Sequence, residues 1–272
     1  MMDNSRIAFI GGGNMASAIV GGLIRQGLAP AQIAVVEPFA QARERLRQQF
    51  GVTAEEQAGA AVASCGLVVW AVKPQTFKEA AAQAGPHVRQ ALHLSVAAGI
   101  RSDSIAAWLG SERVVRAMPN TPALVGKGMT ALFARAGVTA AEKARVEQVI
   151  ATTGEFLWVD AEKQLDAVTA LSGSGPAYVF YFLEAMTQAG EEMGLGAEQA
   201  RRLAVGTFAG ASELARASEE PLQLLRERVT SKGGTTYAAL TSMEQAQVKA
   251  AFVRALHAAC KRAEELGDEF GR

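Results

Sequence analysis

Ile7-Ala8-Phe9-Ile10-Gly11-Gly12-Gly13-Asn14-Met15-Ala16 is the stretch from which the fold of this chain follows. Its first four residues are all apolar, as in a strand buried on both faces, and Met15, Ile19, Gly22 and Leu23 then recur on one face of a helix over 14–26. Between strand and helix lies a GxGxxA pattern. Gly11 permits the tight turn, Gly13 lets a pyrophosphate approach the backbone, and Ala16 lets helix and strand pack closely. The helix entry at Asn14 and Met15 presents backbone N–H groups to that phosphate. A strand before it and a helix after it make this a dinucleotide-binding start and not a mere turn.

Working outward, apolar runs alternate with helical patterns. Strands are expected at 33–36, 67–72, 92–96, 114–117, 129–133 and 156–159, with a charged amphipathic helix over 40–50 and another helix from about Gln75. This is the α/β pattern of a Rossmann-type doubly wound sheet covered by helices. Beyond Glu162 the strand signal ends, so residues 1–161 are expected to form the dinucleotide-binding domain and 162–272 an all-helical one. In that second region Ser174 is the expected cap and Pro176 the first-turn residue of a helix whose 178–183 segment, Tyr-Val-Phe-Tyr-Phe-Leu, is apolar on every side. Such a helix needs burial all round. A region of about 110 residues encloses it poorly, which predicts a homodimer formed through the helical domain.

Composition narrows the partners. Lys plus Arg and Asp plus Glu number 27 each among 272 residues, with no basic or acidic block, which argues against nucleic acid and a charged membrane surface and for a small molecule. Cys65 and Cys260 are far apart and His87, His93 and His257 are scattered singly, so no disulfide framework and no metal site is expected. With no apolar leader and no run long enough to span a bilayer, a soluble cytoplasmic protein is expected.

Further candidates sit where strands end, the ligand edge of such a sheet. Glu37 follows the second strand, where a carboxylate either accepts from the adenosine ribose hydroxyls and repels a 2′-phosphate or simply opens the next helix; Arg43 and Arg45 nearby leave both NADH and NADPH open. Ala71-Val72-Lys73-Pro74 ends the third long strand, its lysine reaching a nicotinamide ribose or snorkelling into water. Ala97-Ala98-Gly99 offers small residues over which a nicotinamide lies flat. In Met118-Pro119-Asn120-Thr121-Pro122 the prolines make a stiff wall, and Asn120 either orients the carboxamide or serves as a turn residue.

A second glycine-rich cradle lies far from the first: Val229-Thr230-Ser231-Lys232-Gly233-Gly234-Thr235-Thr236. Thr230 and Ser231 offer hydroxyls, the glycines turn the backbone, and a helix starting at Thr235 points unpaired N–H groups at a carboxylate or phosphate.

Taken in order, GGGNMA, AVKP, RAMPNTPALVG, LSGSGPAY and VTSKGGTTYAAL resemble pyrroline-5-carboxylate reductases over essentially the whole chain. The resemblance implies a Rossmann domain, an interlocking helical dimerisation domain, often a ring of dimers, NAD(P)H as hydride donor and L-proline as product. It implies that Thr236 lies beside the ring nitrogen; for such a substrate the N–H groups of Gly233, Gly234, Thr235 and Thr236 are expected to hold the carboxylate with Ser231 assisting, and the Ser172 to Pro176 turn, Ser174 included, either floors the substrate pocket or is a glycine-rich helix entry. Two positions depart from the family pattern: Lys232 replaces a usual proline, and Glu37 stands where relatives accommodate a 2′-phosphate. Two other readings compete. A hydroxyacid dehydrogenase would want a basic residue in the helix after Ser174, which has no lysine; a non-catalytic dinucleotide-sensing dimer would have no need of the second cradle.

Overall fold

The computed structural model describes residues 6–271. They form two compact units, one built from the chain up to Ser174 and again from Ala259 onward, the other from Gly175–Ala258. The first contains β1 (Ile7–Ile10), α1 (Asn14–Arg25), β2 (Ile33–Val36), α2 (Ala40–Phe50), β3 (Ala54–Glu55), α3 (Ala60–Ala63), β4 (Leu67–Trp70) and α4 (Pro74–Val88). It continues with β5 (Leu92–Ser95), α5 (Ser102–Leu109), β6 (Val114–Met118), β7 (Gly128–Ala134), α6 (Ala140–Ile150), β8 (Gly154–Trp158) and α7 (Gln164–Val168).

The strands make one sheet in the order β3-β2-β1-β4-β5-β6-β7-β8. All pairs are parallel except β6 with β7. The order reverses between β1 and β4, the switch point at which open α/β sheets bind ligands. Side-chain alternation explains why the strands read as unbroken apolar runs. Ile7, Phe9, Val35, Val69 and Leu94 face one core with Ile19 and Leu23 of α1, while Ala8, Ile10, Val68 and Trp70 face another with Phe77 of α4 and Ile105 of α5. The doubly wound sheet thus matches the expectation. β3 is an addition, too short at two residues to leave a periodic pattern. The expected 67–72 strand ends at Trp70, because after Ala71 donates its N–H to the Ile10 carbonyl at 2.8 Å the chain turns toward α4.

The second unit holds α8 (Gly175–Glu192), α9 (Ala197–Ala217), α10 (Leu222–Arg228), α11 (Thr235–Gln245) and the start of α12 (Val248–Phe270). Tyr178 and Phe182 meet Phe252 edge-on at 5.7 and 5.5 Å, and a Cβ on Gly190 would lie 2.8 Å from that of Ala200, so α8 and α9 pack backbone-close. Packing divides the chain at 174/175, whereas the change from mixed to helical sequence suggested 161/162. The end of α12 returns to the first unit because Leu266 and Phe270 pack on Gly99 and Arg101 bonds Asp268 at 3.0 Å.

Candidate active site

Gly11 takes φ +96°, and a Cβ there would stand 2.7 Å from the Ala71 carbonyl oxygen, so the loops after β1 and β4 touch only because residue 11 is glycine. Nothing lies within 4 Å of a Cβ built on Gly13, which precedes α1 without any side-chain cap. The N–H groups of Asn14 and Met15 belong to this uncapped first turn. Gly12, left unassigned by the GxGxxA pattern, is equally constrained: a Cβ would come within 2.7 Å of Leu46. The triple glycine was the signal for it.

Gly12 also donates its N–H to Glu37 Oε2 at 2.7 Å, and Phe39 N–H reaches Glu37 Oε1 at 2.9 Å. Glu37 is only 6% exposed; it does not project into solvent at the opening of α2 but is held under the glycine loop. Arg43 donates to the carbonyls of Glu37 and Pro38 at 2.9 and 2.7 Å, and Arg45 to the Gly12 carbonyl at 3.4 Å.

After β4, Ala71 and Val72 are half-buried, and Lys73 is exposed at the N-cap of α4, where Pro74 opens the helix. Ala97 is buried beyond β5 and donates its N–H to Ser95 Oγ. Gly99 has a structural reason for its size as well. At φ +70° its missing side chain makes room for Leu266, 3.2 Å from a would-be Cβ. Asn120 is likewise committed. Its Nδ2 donates to the Ser172 carbonyl and Oγ, both at 3.2 Å, and its Oδ1 accepts from Met129 N–H at 2.9 Å, so its amide ties the turn after β6 to Ser172 and β7. The glycine loop, the 71–74 turn, the 97–99 turn and the Asn120 turn all sit at the carboxyl ends of β1, β4, β5 and β6, four consecutive strands of the sheet.

Residues 169–173 form a π-helical turn after α7. Ser174 follows with helical angles (φ −82°, ψ −15°) and gives its N–H to the Thr169 carbonyl at 2.8 Å, so it extends that turn and does not cap a new helix. Gly173 lies against the tip of Met118, whose Cε would be 2.4 Å from a Cβ. Sequence periodicity has no means of revealing a π turn, which differs from an α turn by one residue.

The second cradle lies in the second unit. Thr230 does not offer its hydroxyl: Oγ1 donates to the Arg226 carbonyl at 2.7 Å and closes α10. Gly233 takes φ +74°, and Gly234 precedes α11 with no side-chain cap. Ser231 Oγ lies 2.6 Å from where a Gly234 Cβ would stand, so the hydroxyl leans over the helix start. The first helical bond comes from Ala238 N–H to the Gly234 carbonyl, which leaves the N–H groups of Thr235 and Thr236 in the uncapped first turn. Thr236 is half-buried; Lys232 is exposed.

Residues 162–266 match the family model for pyrroline-5-carboxylate reductase dimerisation, and residues 6–99 match that for coenzyme F420-dependent NADP oxidoreductases. The chain is 45% identical to the pyrroline-5-carboxylate reductase of Pseudomonas aeruginosa over all of both chains. It is 39% identical to that of Haemophilus influenzae over 97% of this chain and 98% of the relative. Among solved structures it superposes on the Coxiella burnetii pyrroline-5-carboxylate reductase with TM-score 0.90 at 38% identity, covering 97% of this chain and 99% of that one. The Plasmodium falciparum pyrroline carboxylate reductase, solved with NADP bound, gives 0.88 at 29% identity over 98% and 100%. With a Rossmann sheet, a dimerisation region and full-length relatives in agreement, the chain belongs to the pyrroline-5-carboxylate reductase family and is an NAD(P)H-dependent, homo-oligomeric oxidoreductase of proline biosynthesis.

Proposed function

We propose that the α11 start is the substrate carboxylate site and that Thr236 orients the imine nitrogen of 1-pyrroline-5-carboxylate. The observation that carries this is the uncapped first turn behind Gly233 and Gly234 with Ser231 Oγ leaning over it. Four features match a carboxylate there: N–H donors at Thr235 and Thr236, glycines that admit close approach, a hydroxyl donor, and the positive end of a helix dipole. Thr236 Oγ1 donates to the imine nitrogen or accepts from the product amine as the ring requires. A dinucleotide held by the first unit would supply the hydride; with that hydride at the imine carbon and one proton at the nitrogen the C=N double bond becomes single and L-proline results. Positioning dominates the rate, since the protein need only hold the ring and keep the nitrogen protonated.

In this reading residues 1–161 hold the cofactor and 162–272 the substrate and the partner copy. Gly11, Gly13, Asn14 and Met15 receive the pyrophosphate, Glu37 the adenosine ribose, and Ala71, Val72, Lys73, Pro74, Ala97 and Gly99 the nicotinamide end. Asn120 serves as a positioning residue behind them, and Ser174 belongs to the floor of the substrate site. The homo-oligomer is a homodimer, arranged further as a ring of dimers, in the cytoplasm; sedimentation analysis reads the oligomer directly.

Thr236→Ala is expected to lower turnover of pyrroline-5-carboxylate by roughly ten- to a thousandfold, the loss of a hydrogen bond that strengthens in the transition state, with cofactor affinity unchanged. A collapse of cofactor affinity instead would assign Thr236 to the other ligand.

A further inference from the structure

We infer that the adenosine end of this chain selects a dinucleotide without a 2′-phosphate, and that Glu37 makes the selection, so that NADH is the preferred donor of the NAD(P)H pair. The inference deepens the functional reading above and rests on its placing of the cofactor. Ile10 pairs with Val36 across the sheet, which delivers Glu37 directly beside the glycine loop. There its two oxygens are fixed separately, one by Gly12 N–H at 2.7 Å and one by Phe39 N–H at 2.9 Å. Each oxygen keeps a further lone pair, and a carboxylate only accepts, which suits the two hydroxyl donors of an unmodified ribose. A 2′-phosphate brings acceptors and negative charge to the same carboxylate, which is 6% exposed and held at both oxygens by backbone N–H groups.

The nearby arginines do not offset this. Arg43 Nη1 is turned onto the Glu37 and Pro38 carbonyls at 2.9 and 2.7 Å, and its Nη2 pairs with Glu56 at 3.4 Å. Arg45 is turned onto the Gly12 carbonyl. Both cations brace the loop that holds the carboxylate. Phe39, 73% exposed and next in the chain to this clasp, is the adjacent apolar ring for the base.

Calorimetric titration of the full-length protein with NADH, NADPH, 5′-AMP and adenosine 2′,5′-bisphosphate tests the inference on binding alone. NADH is expected to bind at least roughly tenfold more tightly than NADPH, in line with charged hydrogen bonds gained by one and lost by the other, and 5′-AMP more tightly than the bisphosphate. Glu37→Ala should weaken NADH roughly tenfold and erase or invert the ratio, whereas Phe39→Ala should weaken both donors and keep it. Equal or tighter NADPH binding by the unaltered protein overturns the inference, as does a ratio that survives Glu37→Ala or changes in Phe39→Ala. The unaltered protein's reductase assay with both donors is a separate arm: failure with both sinks the substrate reading, while the titrations still judge the discrimination.

Discussion

His93 on β5 is a titratable group buried in the sheet. Wholly buried, it accepts at Nδ1 from Trp70 Nε1 at 3.2 Å, which leaves the ring proton on Nε2, a buried atom with no partner among the described residues. Burial, with Arg113 as a lesser cause, lowers its pKa from 6.5 to about 4. Between those values the unfolded chain binds the proton and the folded one does not, so stability is full above pH 6.5 and falls as the pH drops toward 4. The loss amounts to about 3 kcal/mol over that window. His93→Gln, which keeps an acceptor for Trp70, should flatten the pH dependence of stability between those limits in denaturant titrations at fixed protein concentration; an unchanged slope would exonerate the histidine. Sequence alone left His93 among three scattered histidines, because nothing local marks an imidazole whose hydrogen-bond partner is 23 residues away on the neighbouring strand.

Elements in the Rossmann half were legible because their signals are local: the apolar run of β1, the glycines after it and the face of α1 all lie within 19 residues. The end of α12 was not. Its amphipathic pattern declares a helix but does not say which surface it covers, and the answer is the turn after β5. Leu266 and Phe270 fill the space left by Gly99, Gly267 lies against the Arg101 guanidinium, and Ser104 Oγ donates to the Gly271 carbonyl at 3.0 Å. Gly99→Val therefore breaks two constraints together, a β-branched residue at φ +70° and a clash with Leu266, and should cost about 1–3 kcal/mol. Hydrogen exchange should quicken over residues 259–271 while α1 stays protected; uniform exchange across both would remove the special role of this contact. Asn120 and Ser174 carry the same lesson. Each stands in the expected motif, yet one amide is spent joining β7 to the 169–173 turn and the other residue continues a π turn, arrangements that depend on partners up to 52 residues away.

Taken over the full chain, apolar burial is lopsided. The sheet unit encloses two cores, but in Gly175–Ala258 only Gly190, Ala200 and Ala204 are fully buried, and Phe180 and Tyr181 on α8 are 58% and 69% exposed. Exposed aromatics suit an interface, and the dimerisation match over 162–266 covers this helix, so we propose this face as a contact between copies of the chain. Phe180→Asp should shift sedimentation toward the monomer and lower thermal stability, with the loss reduced at higher protein concentration because association and folding are linked. A variant that sediments like the unaltered protein would move the interface off this face of α8. By itself the sequence determined the fold class and the family, because periodicity, glycine placement and motif order are written locally along the chain. Only the tertiary structure decided what the carboxylate of Glu37 holds, why Gly99 is small and where α12 ends, since each depends on groups brought together from distant segments by the sheet order and helix packing.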